Sequence, residues 1–274
     1  MDRRLWKDAA LAACIVVILL FTPGPPLRAT DSFEVDAGVA ALRGTVRGRV
    51  QTPRGGEPGT TSSHRPSLEE LGIDETGAGD FWANVSVGRQ GLYLGGRLIH
   101  LSGDTTLDDA LVSQGATYPA GSLVDAEIKF DWYRTGYRYH LPVDWGSRTI
   151  DLYPSIGATF LDFHYTLTSP GLAKVDRGYT KVGSQVGLGV TWPLMGNLSL
   201  AGQVFAPVPI PHWPSILSAQ VALKYQFLEK EDVCISGLAG IDYDWISYKD
   251  SQQVPNDIKA DVGPMGMVAL EVSF

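Results

Sequence analysis

Strict alternation of apolar and polar side chains, repeated in segment after segment and still running at the last residue, leaves this chain few folds to choose from. Successive residues of a strand point to opposite faces of a sheet. Val124, Ala126, Ile128, Phe130 and Trp132 alternate with Asp125, Glu127, Lys129 and Asp131. Val182 to Trp192, Leu217 to Tyr225 and Gly266 to Phe274 repeat the pattern. One such segment fits a half-buried soluble strand; the repetition describes a sheet with one greasy face throughout. If that face meets lipid, the sheet must close on itself, because an unpaired backbone group in hydrocarbon costs several kcal/mol.

The alternation predicts ten strands, at 33–43, 80–88, 91–101, 122–134, 149–161, 180–192, 197–206, 216–227, 232–245 and 263–274. The fold class is thus an all-β, closed, antiparallel transmembrane barrel. An eight-stranded wall with one hairpin outside it is the alternative. Connections alternate between short turns and long or Gly/Pro-rich loops at 44–79, 102–121, 162–179, 207–215 and 246–262. The interval 135–148 is too long for a turn and fits neither class. Pro154 inside a strand removes a ladder hydrogen bond and calls for a bulge.

Before the strands, Arg3, Arg4 and Lys7 precede an apolar run from Ala9 to Phe21, which Pro23, Gly24, Pro25 and Pro26 break. A basic start, a short apolar core and the small Ala29 describe a cleaved secretory signal peptide over 1–29. The barrel domain is then 30–274. Losing Cys14 with the leader leaves Cys234 without an internal partner. Four of the 22 basic and two of the 30 acidic residues precede residue 30, which leaves 18 and 28 and a net charge of −10. That balance argues against nucleic acid as a partner.

The chain ends Val268-Ala269-Leu270-Glu271-Val272-Ser273-Phe274. Over 33–274 the architecture resembles small bacterial outer-membrane barrel proteins, and this ending resembles the signal read by their assembly machinery. The resemblance implies the outer membrane of a Gram-negative-type bacterium, with turns in the periplasm and loops outside. Trp132, Trp192, Tyr225 and Phe274 would form one aromatic girdle; Phe81, Phe160, Tyr243 and Trp245 would form the other. Arg43, Arg47 and Arg49 sit above the first strand, where they could pair with lipopolysaccharide phosphates or simply be solvated.

The opposite face would point inward: Glu34, Asp36, Arg97, Asp125, Glu127, Lys129, Asp131, Lys181, Gln185, Lys224, Asp242 and Glu271. Buried charges must be paired, so the expectation is a plugged, porin-like barrel without free conduction. A narrow channel lined by Asp125, Glu127 and Asp131 is the alternative.

His100 and Ser102 resemble the His-x-Ser pair of outer-membrane phospholipase and lipid A deacylase barrels. In those families the His is base to the Ser nucleophile. Gly103 stands where they have Asn, and a third group to orient His100 is not evident. Asp162-Phe163-His164 and Asp242-Tyr243-Asp244 resemble the acid and Asp-x-His pairs of omptin-type proteases. Their chain order is reversed, and alternation turns the first pair outward and the second inward. The five His residues show no metal-ligand spacing, and neither metal nor other cofactor is expected. Ser67-Leu68-Glu69-Glu70 fits a capping box, with Leu68, Leu71 and Ile73 on one face of a short lid. The leading expectation is a non-enzymatic envelope protein, structural or binding through its loops. A lipid hydrolase and a narrow conduit are the alternatives.

Overall fold

The computed structural model describes residues 33–49, 66–113, 115–230, 233–250 and 256–274. The leader, Cys14 and His64 lie outside them. In chain order the strands are β1 (Phe33–Arg49), β2 (Glu75–Val87), β3 (Gln90–Thr106), β4 (Leu111–Ser113), β5 (Ala116–Tyr118), β6 (Leu123–Tyr139), β7 (Leu141–Trp145), β8 (Arg148–Thr168), β9 (Val175–Met195), β10 (Leu198–Pro207), β11 (Ser215–Lys230), β12 (Val233–Lys249) and β13 (Asp257–Ser273). β4 and β5 form a small separate hairpin. The others make one sheet, closed where β1 pairs with both β2 and β13 and where β6 pairs with β8. β7 pairs only with β8 and continues β6, so the closed wall has ten strands.

The interval 135–148 therefore belongs to strands. The ladder between β6 and β8 stops at Arg138–Ser155 and resumes between β7 and β8 at Leu141–Leu152. At the break, the His140 N–H turns away to donate to the Arg89 carbonyl at 2.7 Å. Pro154 lies opposite this gap on the β6–β7 side and stays in register with Leu188 of β9 on the other. Beyond the break, β7 and the start of β8 form a ribbon about 17 Å long, at ~3.4 Å per residue, of which residues 148–150 and their partners extend past the β8–β9 ladder. Trp145 is exposed at its tip.

The wall has two halves of opposite character. In the half nearer the short turns, apolar side chains face outward and are exposed, among them Val39, Val85, Leu92, Leu94, Ile156, Leu188, Val221, Leu223, Ile241, Val268 and Leu270. Aromatics edge this belt: Tyr225, Phe227, Trp192 and Phe274 toward the turns, Phe160 with the half-buried Phe81, Tyr133, Tyr243 and Trp245 toward the loops. In the half nearer the loops the polarity reverses. Val46, Ile99, Leu101, Phe163, Tyr165, Leu167, Tyr248, Ile258 and Val262 point inward and are buried in one core.

β6 crosses this boundary, and its register corrects the expectation. Val124, Ala126, Ile128, Phe130 and Trp132 are buried inside the barrel. The alternating Asp125, Glu127, Lys129 and Asp131 are on the outer face, so they line no lumen or channel. Trp132 is not a girdle residue; Tyr137 and Tyr139 occupy the outer face of β6 nearer the turns. The physical reason is that alternation fixes only that two faces differ. Above the lipid, water lies outside and the core inside, so the same period carries the reversed sign.

The reversal also accounts for the strand ends. β8 and β9 have 21 residues each, and β3 and β12 have 17, all reaching past the expected boundaries at the loop end. Residues 44–49, 102–106, 162–168, 175–179, 246–249 and 257–262, expected as loops, are strand. The loop end is stoppered by the segment after residue 66. Ser67 and Glu70 complete a capping box, the Ser67 N–H donating to Glu70 Oε2 at 2.6 Å and the Glu70 N–H to Ser67 Oγ at 3.2 Å. The box starts a single 3-10 turn, Glu69–Leu71, that presses Leu68, Leu71 and Ile73 into the core.

Candidate functional sites in the lumen and on the outer wall

Below the apolar core the lumen is crossed by a charged cluster centred on Arg97 of β3. Its Nη2 donates to Asp80 Oδ2 at 2.6 Å and to Asp242 Oδ2 at 2.9 Å, and its Nη1 donates to Asp242 and Asp244. All four side chains are buried. They come from β2, β3 and β12 because Asp80 lies opposite Arg97 in register, while Asp242 and Asp244 reach in from across the barrel. One guanidinium faces three carboxylates. Arg97 Nε and Asp244 Oδ1 make no hydrogen bond among the described residues.

Nearer the turns, large side chains lie across glycines of neighbouring strands. Tyr93 of β3 passes over Gly136 of β6 and Gly157 of β8 to Gln185 of β9, whose Nε2 donates to the Tyr93 oxygen at 2.8 Å. A Cβ on Gly136 would sit 2.2 Å from the Ile156 carbonyl oxygen and 2.7 Å from Tyr93 Oη, so only glycine fits. Trp82 crosses Gly38 and donates from Nε1 to Glu271 Oε2 at 3.0 Å; Lys224 also pairs with Glu271. Between these groups is a cavity of about 90 Å³, lined among others by Trp82, Asn84, Arg134, Arg138, Gln203 and Gln220.

The second locus is on the outer wall, just past Leu98, Tyr133 and Phe160, where the apolar belt ends on β3, β6 and β8. His100, Lys129 and His164 are side by side in register on these strands. With Ser102 and Glu127 they line a notch of about 350 Å³. Asp131 lies beneath it. The β3–β6 ladder omits the pairs between Arg97–Trp132 and His100–Lys129. There the Asp131 carboxylate accepts the Ile99 N–H at 3.2 Å, lies 3.3 Å from His100 Nε2 and 2.9 Å from Lys129 Nζ. Lys129 also meets Asp162 at 3.3 Å. Ser102 makes no side-chain hydrogen bond among the described residues.

Arg97, Asp242, Gln185, Lys224 and Glu271 thus meet partners inside the barrel, and the inward Lys181 lies over Tyr179 and Tyr248. Glu34 and Asp36 occupy the inward face of β1 at the turn end, apart from these contacts. Arg43, Arg47 and Arg49 are on the outer face of β1, Arg43 2.8 Å from Glu75. Asp162 and His164 face outward while Asp242 and Asp244 face inward, so the wall separates them. Among the described residues no group of three or more His, Cys, Asp or Glu is arranged to hold a metal ion.

Sequence reasoning missed Asp80, Tyr93, Arg134 and Arg138. The signal for the two arginines was present. They share the parity of Trp132, so a Trp132 facing lipid would put both guanidiniums there too, at ~2–4 kcal/mol each near the bilayer midplane.

A closed ten-stranded wall, free of edges and ringed by exposed apolar side chains between aromatic girdles, is the architecture of an outer-membrane β-barrel. No protein-family model matches the chain, and no curated protein sequence does. Solved barrels are similar at low scores, three of them as follows. The outer-membrane protease OmpT of Escherichia coli shares 10% identity at a TM-score of 0.41, over 92% of this chain and 100% of its own. OprG of Pseudomonas aeruginosa shares 11% at 0.38, over 88% and 95%. Ail, the attachment invasion locus protein of Yersinia pestis, shares 11% at 0.35, over 89% and 99%. Likeness at this level says nothing of role.

Proposed function

We propose that the chain is a sealed, non-conducting outer-membrane barrel that acts as a structural or partner-binding element through its loop end. In this reading the leader at 1–29 is removed on export, the turn end faces the periplasm, and the assembly machinery reads Val268, Leu270, Val272 and Phe274. Arg43, Arg47 and Arg49 meet lipopolysaccharide phosphates at the outer surface. The observation that supports the reading best is the filled lumen. The aromatic rings Phe130, Phe163, Tyr179 and Tyr248 stack across it at centroid distances of 5.2, 5.1 and 5.3 Å, and the Arg97 cluster lies beneath them. Ion passage would require opening both layers. The test is planar-bilayer recording of the purified protein. Background current is expected; large, stable unitary steps would overturn the proposal.

One observation favours a second reading, a lipid hydrolase on the outer wall. Asp131 supplies a carboxylate beside His100, the orienting group a Ser–His pair requires. Ser102 shares the outer face of β3 with His100, above the belt where lipid headgroups lie. This reading expects the protein to release fatty acid from phospholipid or lipopolysaccharide in mixed micelles, and Ser102→Ala to abolish the release. Equal lipid turnover by both proteins, or none by either, removes it.

A further inference from the structure

The lumen holds two buried cations that the sealed-barrel reading does not use. Arg134 and Arg138, four residues apart on the inner face of β6, keep only 6% and 9% of their surface exposed. Neither has a carboxylate within ion-pair distance among the described residues. Asp80, Asp242 and Asp244 are engaged by Arg97, and Glu271 by Lys224 and Trp82. Both guanidiniums instead lie over rings. Arg134 Cζ is 4.6 Å from the Trp132 centroid and 4.3 Å from Phe205; Arg138 Cζ is 5.2 Å from Tyr93 and 5.1 Å from Tyr153. Stacking holds a guanidinium in place but leaves its in-plane N–H groups to find acceptors. Arg134 Nη1 and Arg138 Nε have found none.

Both arginines line the 90 Å³ cavity, together with the amides of Asn84, Gln203 and Gln220 and the Glu271 carboxylate, which Lys224 pairs. Gln203 Nε2 donates to Gln220 Oε1 at 2.7 Å and Gln220 Nε2 to Met267 Sδ, which leaves each of these two amides one further N–H. This is the donor set of an oxyanion site: two preorganised cations and neutral side chains that can donate around them. At ~30 Å³ of liquid per water, the volume is that of about three waters, the scale of a small oxyanion. Access is from the turn end. The inward Lys224 keeps 27% of its side chain exposed there, whereas the Arg97 cluster closes the other direction. The wall is closed on all sides, so a lipid headgroup cannot enter from the membrane.

We propose that this blind vestibule binds a small soluble oxyanion, a phosphate or carboxylate, entering from the turn end between Arg134 and Arg138. The opposing influences are the Glu271 carboxylate on the cavity wall, which Lys224 pairs, and the Arg97 cluster, which carries two carboxylates more than its one cation. If Arg134 and Arg138 merely balance that excess at a distance, the cavity takes no anion.

The test is calorimetric titration of the full barrel with inorganic phosphate, and separately acetate, in a non-ionic maltoside detergent at low salt. Saturable one-site binding is expected for at least one of them, weakened about tenfold or more by Arg138→Gln. Lys259→Gln, an exposed cation at the loop end, should bind as the parent does. Ala201→Leu, which fills the cavity and keeps both charges, should also abolish binding, and this variant decides the matter if Arg138→Gln does not fold. Absence of saturable binding by either anion overturns the proposal, as does undiminished binding by Ala201→Leu or equal weakening by Lys259→Gln. Conductance does not bear on these outcomes, so this site and the sealed lumen stand or fall separately.

Discussion

Arg97 is the residue on which the middle of the barrel depends. Removing it leaves Asp80, Asp242 and Asp244 facing one another in a buried site with no direct cation. Breaking a buried ion pair by deleting one partner typically costs ~3–5 kcal/mol. Arg97→Met should therefore lower the urea midpoint of the folded barrel in detergent, and the unfolding free energy read from midpoint and slope should fall by an amount in that range. The triple change Asp80→Asn, Asp242→Asn, Asp244→Asn in the same background should recover part of it, because the stranded charges are then gone. A midpoint unchanged in Arg97→Met would mean that the cluster contributes nothing. Gly136 is a second sensitive position, for steric reasons: Gly136→Ala forces its new methyl against the Ile156 carbonyl oxygen, and the β6–β8 ladder must shift. The expected loss exceeds the gain of up to ~1 kcal/mol that Gly→Ala brings where space allows.

At the scale of the strand, β6 explains both what could be read in advance and what could not. The number of wall strands, their order and the outward parity of Val182–Trp192, Leu217–Tyr225 and Gly266–Phe274 follow from alternation over the belt, where lipid demands apolar side chains. The parity of Val124–Trp132 does not, because this segment stands above the belt, where the demand is reversed. The extended loop-end strands were illegible for the same reason: their inward apolar residues alternate with outward ones that are charged, small or hydroxylated, as in any soluble sheet. The Arg97 cluster was half legible. Arg97 and Asp242 are polar positions on lumen-facing parity, but Asp80 lies at the edge of its expected strand and only the closed barrel brings the three strands together. Cysteine labelling tests the reversal. In Cys234→Ser protein, Glu127→Cys should react quickly with a polar maleimide and Ile128→Cys slowly. On the belt the cost is different in kind: Leu94→Arg places a charge in lipid, at ~2–4 kcal/mol near the midplane. Fast reaction of Ile128→Cys together with protection of Glu127→Cys would restore the original parity.

For the molecule as a whole, the rim is uneven. β10 ends at Pro207, paired with Gln185, while β9 continues away from that point to Val175. The Pro-rich segment 208–214 with exposed Trp213 therefore sits low, whereas the connection at 169–174 sits high. In Cys234→Ser protein held in lipopolysaccharide-containing membranes, Leu172→Cys should label faster with a bulky reagent than Ile210→Cys; equal rates would argue for a level rim. The height has a bearing on what can find this protein. From Asp162 to Thr168, β8 climbs about 15–20 Å past the belt, at ~3.3 Å per residue and a tilt near ~40°. In the proposed orientation, with the loop end outward, a wall that tall would lift its tallest loops clear of the phosphate layer and into the zone of surface sugars. An antibody fragment or a phage tail fibre arriving from outside would meet rigid, hydrogen-bonded strand there rather than a slack loop, and a change of a few surface side chains would alter what it grips without disturbing the part that holds the protein in the bilayer.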